Sequence, residues 1–306
     1  MVGYSNRSVY NDCEVILDNS SIIAKGGNYD SSTVQYAMFS VGGLIGFSQS
    51  GSDNTEGTIG LLGNQLYNCK LVSNNTEQKD VIIASVETGQ EICAGGLVGC
   101  TFNNFVAKNC SAYVTKGNII ATKTGESDIN SYYGTQTGGI VGRLEHTGEL
   151  YNCNVTGDYL NIISKSPNNE SNAGGIVGVD IGPYHRDVIS INNCSFDGSG
   201  TSNVSLEITS DDDVVKYIGV GGIAGRSTYK IVGCSVKDTI ITNKAEGNKY
   251  WPRAGSIVGF LADSSLWKNG TYFTPNISTS EITNCEASGI TFDVSDNVII
   301  SNYSID

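Results

Sequence analysis

The sequence predicts an all-β protein, specifically a three-sided parallel β-helix. Three observations carry that expectation: a repeat near forty residues, strand-type alternation inside each repeat, and a composition without helical character. The chain has 306 residues, with 38 Gly, 4 Pro and only 16% charged residues. It is rich in Gly, Ser, Thr, Asn and Tyr, and no segment shows the extended Ala, Leu, Glu and Lys pattern of helices. A fixed period is read before length, because it turns a two-domain length into one elongated array of about seven coils.

The first element is built around a cysteine. Cys13, Cys69, Cys110, Cys153, Cys194, Cys234 and Cys285 follow one another at spacings of 56, 41, 43, 41, 40 and 51 residues. The residue before each is Asp, Asn or Gly, types that tolerate a left-handed turn. The residue after each is polar (Glu14, Lys70, Ser111, Asn154, Ser195, Ser235, Glu286), and the next is apolar, which is the period of a half-buried strand. Three residues ahead stand Tyr10, Leu66, Ala107, Leu150, Ile191, Ile231 and Ile282, all able to face a core. The unit is a bent strand whose cysteine points inward.

A second strand recurs as SIIA at Ser21, VIIA at Val81, NIIA at Asn118, NIIS at Asn161, SLEI at Ser205, TIIT at Thr239 and NVII at Asn297. The third is the glycine segment GG-[IL]-[VIA]-G, at Gly42, Gly95, Gly138, Gly174 and Gly221, with GSIVG at Gly255. Glycine there lets backbones lie close or turn sharply at a corner. Three short strands in fixed order predict a solenoid whose coils stack about 4.8 Å apart, right-handed by the usual crossover preference. Forty residues exceed what such a coil needs. The surplus is expected to leave as unequal loops at 24–41, 47–65, 121–137, 179–190, 209–220, 242–254 and 260–281, where function would be written.

Met1-Val2-Gly3-Tyr4 matches Ile140-Val141-Gly142-Arg143 without the first two glycines. The expectation is therefore a single repeat domain over residues 1–306, cut from a longer array whose open ends invite end-to-end self-association.

The balance of 18 basic against 31 acidic residues, net −13, has the wrong sign for a phosphate backbone, so nucleic acid is not an expected partner. No apolar run reaches a membrane span, and no signal peptide is visible at the start. Stacked cysteine Cβ atoms would lie about 4.8 Å apart, outside the roughly 3.5–4.5 Å that a disulfide prefers, so the seven are expected to form a structural ladder of buried thiols. Cys93 and Cys100 fall outside it and flank one AGGLVG segment; a bridge between them is open beside a pair of free thiols. No Cys/His spacing for a metal appears, and no cofactor is expected.

His146 and His185 lie in loops beside different coils, with no HExxH or GxSxG motif, so no catalytic residues are assigned. A polysaccharide lyase would need a base and calcium ligands; Arg143, Arg186, Arg226 and Arg253 with Asp211, Asp212 and Asp213 have the right chemistry, but nothing in the sequence brings them together. Sequons at Asn6, Asn154, Asn203, Asn269 and Asn276 are what an Asn-, Ser- and Thr-rich chain produces by chance. Tyr36, Tyr133, Tyr217 and Trp251 recur just ahead of the glycine segment and would line one edge, either stacking on sugar rings or packing the loops down. Ice binding is disfavoured, because the outward positions after the cysteines do not form a threonine array.

The recurring GG-[IL]-V-G followed by an Asn-Cys strand resembles the GLUG repeat of large bacterial surface proteins and of non-catalytic regions of IgA-specific metallopeptidases. The resemblance covers nearly the whole chain. It implies a secreted or wall-attached β-solenoid, with an adhesive or spacer role and no catalytic residues in the repeat. The expected partners are a glycan or a host or cell-surface protein. The alternative is a glycan-active or glycan-binding β-helix, which would need carboxylates converging about 5–10 Å apart in a cleft.

Overall fold

The computed structural model describes residues 1–26, 38–49, 63–88, 91–125, 134–145, 148–167, 170–181, 189–209, 218–245, 252–261 and 281–301. Each of the seven expected loops contains a stretch outside these residues.

Every strand pairs in parallel with its counterpart one repeat away, and the strands fall into four sheets. The first sheet runs from Met38–Gly42 through Glu91–Gly95, Thr135–Gly138, Asn172–Gly174, Gly219–Gly221 and Arg253–Gly255 to Ile299–Ser301. The second runs from Val2–Asn6 through Ile45–Gln49, Val98–Phe102, Val141–Glu145, Val177–Ile181 and Ala224–Ser227 to Val258–Leu261. The third begins with Val9–Asn11 and ends with Ile282–Thr283, again seven strands. The fourth, of eleven strands, holds everything that follows the cysteines, from Glu14–Ile16 to Glu286–Val294.

Four sheets stand where three strands per repeat were expected, and the reason is the glycine segment. It is a corner rather than a strand: the chain leaves the first sheet at the leading glycine and enters the second three residues later. A Cβ on Gly96 would sit 2.0 Å from the carbonyl oxygen of Gly139, its counterpart one coil on, and one on Gly99 would sit 2.5 Å from the amide nitrogen of Val41. No side chain fits at either place. The corner stays hydrogen-bonded, since Leu97 N and Val98 N both donate to Ile140 O at 3.0 Å. The sixth copy carries Ser256 at the second glycine position, and none of the described residues places another such corner beyond it.

A second departure concerns the last coil. NVII is not the seventh copy of the second strand, because Ile299 and Ile300 pair with Arg253 and Ala254 in the first sheet. The seventh copy is formed by Ile290, Thr291 and Phe292, which pair with Thr239, Ile240 and Ile241. Alternation decides it: Ile290, Phe292 and Val294 turn one face to the core. In the fifth, sixth and seventh coils the two post-cysteine strands fuse into single strands, Ser195–Ile208, Ser235–Ala245 and Glu286–Val294.

The cysteine turn follows its sequence signature. Asp12, Asn68, Asn109, Asn152, Asn193, Gly233 and Asn284 all have φ between 50° and 64°. Leu66, Ala107, Leu150, Ile191 and Ile231 occupy one register column inside the core, with Tyr10 and Ile282 packed against its ends. Identical left-handed turns also stack their side chains: Asn152 Nδ2 donates to Asn109 Oδ1 at 3.2 Å, Asn109 to Asn68 at 3.4 Å, and Asn68 to Asp12 at 3.0 Å.

Candidate functional site

The richest chemistry lies where the glycine corner folds the second sheet back over the first. Facing outward from the core, one register column of the first sheet holds Ser40, Cys93, Gln136, Asn172, Gly219 and Arg253. The matching column of the second holds Tyr4, Phe47, Cys100, Arg143, Val179, Arg226 and Phe260. Because the final glycine of each corner carries no side chain, the two sheets approach closely, and these columns form a seam that is covered from Cys93 and Cys100 onward and open at Tyr4, which is 56% exposed.

Three arginines are held in the seam. Arg143 pairs with Glu91 and, at 2.7 Å, with Glu145; Arg226 pairs with Glu170. The Arg143 and Glu91 side chains are 4% and 3% exposed, so the pair is dry. Burial raises the Glu91 carboxyl above its ordinary range while Arg143 pulls it down. Burial likewise pushes Glu170 up to about 7, against the pull of Arg226 and Arg143. Arg253 lies over the Phe260 ring, 4.6 Å from its centre. Amides continue the seam: Asn172 Nδ2 donates to Gln136 Oε1 at 3.0 Å, and Gly219 N donates to Asn172 Oδ1 at 3.0 Å.

Of the residues considered for lyase chemistry, Arg143, Arg226 and Arg253 therefore share one seam, whereas Arg186, Asp211, Asp212 and Asp213 lie outside the described residues. Their partners are Glu91, Glu145 and Glu170, which the sequence did not single out; Glu91 reaches Arg143 across 52 positions. The arginine-carboxylate cluster is enclosed rather than open. Among the described residues, no group of three or more His, Cys, Asp or Glu is placed to hold a metal ion.

A second buried group sits at the turn from the second sheet to the third. Asp180 accepts hydrogen bonds on Oδ2 from Ser190 and Ser227, and burial pushes its carboxyl up to about 7. Tyr229 is buried close by, and its hydroxyl titration is raised by burial and by the Asp180 charge. Lys123 is also fully buried, and loss of water lowers it to about 8.

The cysteines occupy one position in successive coils. Cys69, Cys110, Cys153, Cys194, Cys234 and Cys285 are buried and Cys13 half-buried, all as free thiols. The amide of Cys153 donates to Sγ of Cys194 at 3.4 Å, and the same bond repeats from Cys194 to Cys234 and from Cys234 to Cys285. Contact with the Cys153 sulfur, together with burial, pushes the Cys110 thiol up to about 12. The Cys234 thiol is instead lowered by its sulfur contacts with Cys194 and Cys285.

Tyr36, Tyr133, Tyr217 and Trp251, together with His146 and His185, lie outside the described residues. The aromatics that the structure does expose are others. Tyr113 and Tyr159 stand 40% and 48% exposed on the fourth sheet, with the Lys116 ammonium 5.4 Å from the Tyr159 ring centre. Tyr113 follows the alternation after Cys110, whereas Tyr159 belongs to the alternation of the second strand, on the face opposite Leu160 and Ile162.

No curated protein and no solved structure matches the chain. Residues 133–162 match the family model described as the GLUG motif. That segment holds the Gly138 corner, Arg143 and Glu145 of the seam, and the turn at Cys153. The chain thus carries the GLUG motif, and the matched segment contributes strands to all four sheets, the corner between the first two among them.

Proposed function

We propose that the chain is a non-enzymatic extracellular repeat module, a right-handed β-solenoid of about seven coils that serves a cell-surface protein as an adhesive or spacing element. The observation that supports this reading best is the continuous parallel pairing, in which each coil hydrogen-bonds to the next through four sheets with register shifts at only a few pairings. Such a stack resists bending and presents its outer faces as a fixed surface. The GLUG match supports the surface-protein context. The non-enzymatic part rests on where the reactive groups are: Arg143, Glu91, Arg226 and Glu170 neutralise one another under cover, with no solvent-open carboxylate pair among them.

Glycan binding is the adhesive mode favoured here, because Tyr113 and Tyr159 are exposed aromatics on one sheet and Lys116 stands beside the Tyr159 ring. The test is a glycan array together with immobilised host-surface proteins. It is run with the wild-type chain, a Tyr113→Ala/Tyr159→Ala variant, and a Tyr133→Ala/Tyr217→Ala/Trp251→Ala variant, all checked by circular dichroism. Selective binding lost in one variant supports adhesion through that set. Absence of binding with an elongated scattering profile leaves the spacer role. Cleavage of any polysaccharide by the wild-type chain overturns the non-enzymatic reading.

A further inference from the structure

The seven stacked cysteines repeat down to the placement of the sulfur. Each Sγ donates to the carbonyl two residues earlier in its own coil, from Cys13 on Asn11 to Cys285 on Thr283, at 3.4–3.6 Å. From Cys69 onward each Sγ also lies 3.5–3.8 Å from the carbonyl oxygen three residues before the preceding cysteine, as Cys110 does from Leu66 and Cys285 from Ile231. One side-chain conformation is thus carried from coil to coil. The backbone beneath it is in register too: Ser195 N donates to Cys153 O, Ser235 N to Cys194 O and Glu286 N to Cys234 O, at 2.9–3.0 Å. Successive sulfurs are therefore separated by the strand spacing itself, about 4.8 Å.

That spacing is too long for a disulfide, but half of it, about 2.4 Å, is close to the roughly 2.3 Å of a metal–thiolate bond. A soft closed-shell cation midway between two stacked sulfurs completes a linear bridge, and thiolates select such cations. A second observation picks out one stretch of the column. The amides of Cys153, Cys194 and Cys234 donate to Sγ of Cys194, Cys234 and Cys285, each at 3.4 Å. Backbone N–H groups aimed at sulfur favour the deprotonated form that a metal needs. We infer that Cys194, Cys234 and Cys285 form a linear site for a soft monovalent cation such as copper(I) or silver(I), with one cation in each of the two gaps between them. The ligands stand 40 and 51 residues apart, so no local spacing announces them. Sulfurs in a line never converge three at once on one ion, which agrees with the absence of such a group among the described residues.

The chemistry is an exchange of protons for cations, with no electron transfer. Two thiols and one monovalent cation give a bis-thiolate bridge with one negative charge and release two protons. A third thiol and a second cation add one more bridge and release one more proton, and the net charge stays at one. Filling the second gap therefore buries no further charge, whereas filling only one leaves the whole charge on a single bridge. Charge in a dry interior is costly, so the two gaps fill together. Zinc is a poor occupant, because a column offers each ion two sulfurs and not a tetrahedral four.

Cys194 and Cys234 are each 1% exposed, so loading is done during folding. The full chain is reduced, unfolded in urea, freed of reductant and refolded without oxygen in silver(I) with excess methionine as a weak competing ligand. Silver per folded chain is counted by native mass spectrometry, and its coordination is read by X-ray absorption. A Cys93→Ala/Cys100→Ala variant removes the two free thiols outside the column and is expected to load as the wild type does. Its spectrum should show two sulfurs at about 2.4 Å from each silver, and singly loaded chains should be scarce. A Cys194→Ala/Cys234→Ala/Cys285→Ala variant should hold at least two fewer silver ions. A wild-type chain that leaves silver with methionine, a triple variant that carries as much silver as the wild type, or a shell of three or more sulfurs overturns the inference. The absorption spectrum decides without the triple variant should that variant fail to fold. Binding is read in vitro, so its outcome does not depend on the extracellular role proposed above.

Discussion

The hydroxyl of Ser227 donates to Oδ2 of Asp180 at 2.9 Å, while Oδ1 of the same carboxyl has no hydrogen-bond partner among the described residues. The carboxyl is fully buried, and loss of water outweighs the help of Ser190 and Ser227, pushing it up to about 7. A carboxyl whose folded value lies above its unfolded value of about 3.9 binds its proton more tightly in the folded state. Its contribution to stability is complete below the unfolded value and is lost as pH rises through about 7. Lowering the pH from about 8 to about 6 is therefore expected to stabilise the chain by about 1 kcal/mol through this group. Glu170 adds in the same direction. Thermal midpoints across that range should rise on acidification, and Asp180→Asn should flatten the slope. An unchanged slope in that variant would sink the assignment.

Glycine at the corner is tested by one methyl group. The Cβ of a Gly139→Ala variant would lie 2.1 Å from the carbonyl oxygen of Gly175, whereas at Gly3 nothing lies within 4 Å. Urea unfolding should show Gly139→Ala destabilised by more than about 3 kcal/mol and Gly3→Ala within about 0.5 kcal/mol of wild type. Equal effects at the two sites would refute the corner geometry.

Asn152 combines a left-handed backbone, φ 53°, with a side-chain bond to Asn109 at 3.2 Å. Asn152→Ala loses both the tolerance and the bond, with an expected cost of about 1–2 kcal/mol. Asn152→Gly keeps the turn and loses only the bond. It should be the milder change in the same unfolding assay, an order that reverses if the turn is not left-handed.

Arg143 neutralises Glu91 and Glu145 in a dry seam. Arg143→Met leaves two carboxylates buried without their counter-ion, with an expected loss of about 3–5 kcal/mol. Adding Glu91→Gln and Glu145→Gln to that variant should recover most of the loss, since neutral groups of similar shape are far less costly to bury. Failure of the triple variant to regain stability in chemical denaturation would mean that the arginine contributes packing rather than charge.

Much of a single coil is legible in the sequence. The Asp, Asn or Gly before each cysteine marks a left-handed turn, and the residue three places earlier marks the core column, because both depend on neighbours along the chain. The last coil was misread because NVII has the same local pattern as the second strand, yet hydrogen-bond partners placed it in the first sheet. The seam was not legible at all. Glu170 meets Arg226 across 56 positions, a separation set by insertions of unequal length and by the offset of one sheet against the other.

The sequence by itself determined the repeat, the strand alternation and the left-handed turn before each cysteine, since periodicity and backbone tolerance are properties of short segments. Only the tertiary structure decided that the glycine segment is a corner between two sheets, and which side chains meet beneath it. The packing of coil on coil selects those partners: Arg143 with Glu91 and Ser227 with Asp180 come together because strands stack in register, and no spacing along the chain encodes the coil in which a side chain will find its neighbour.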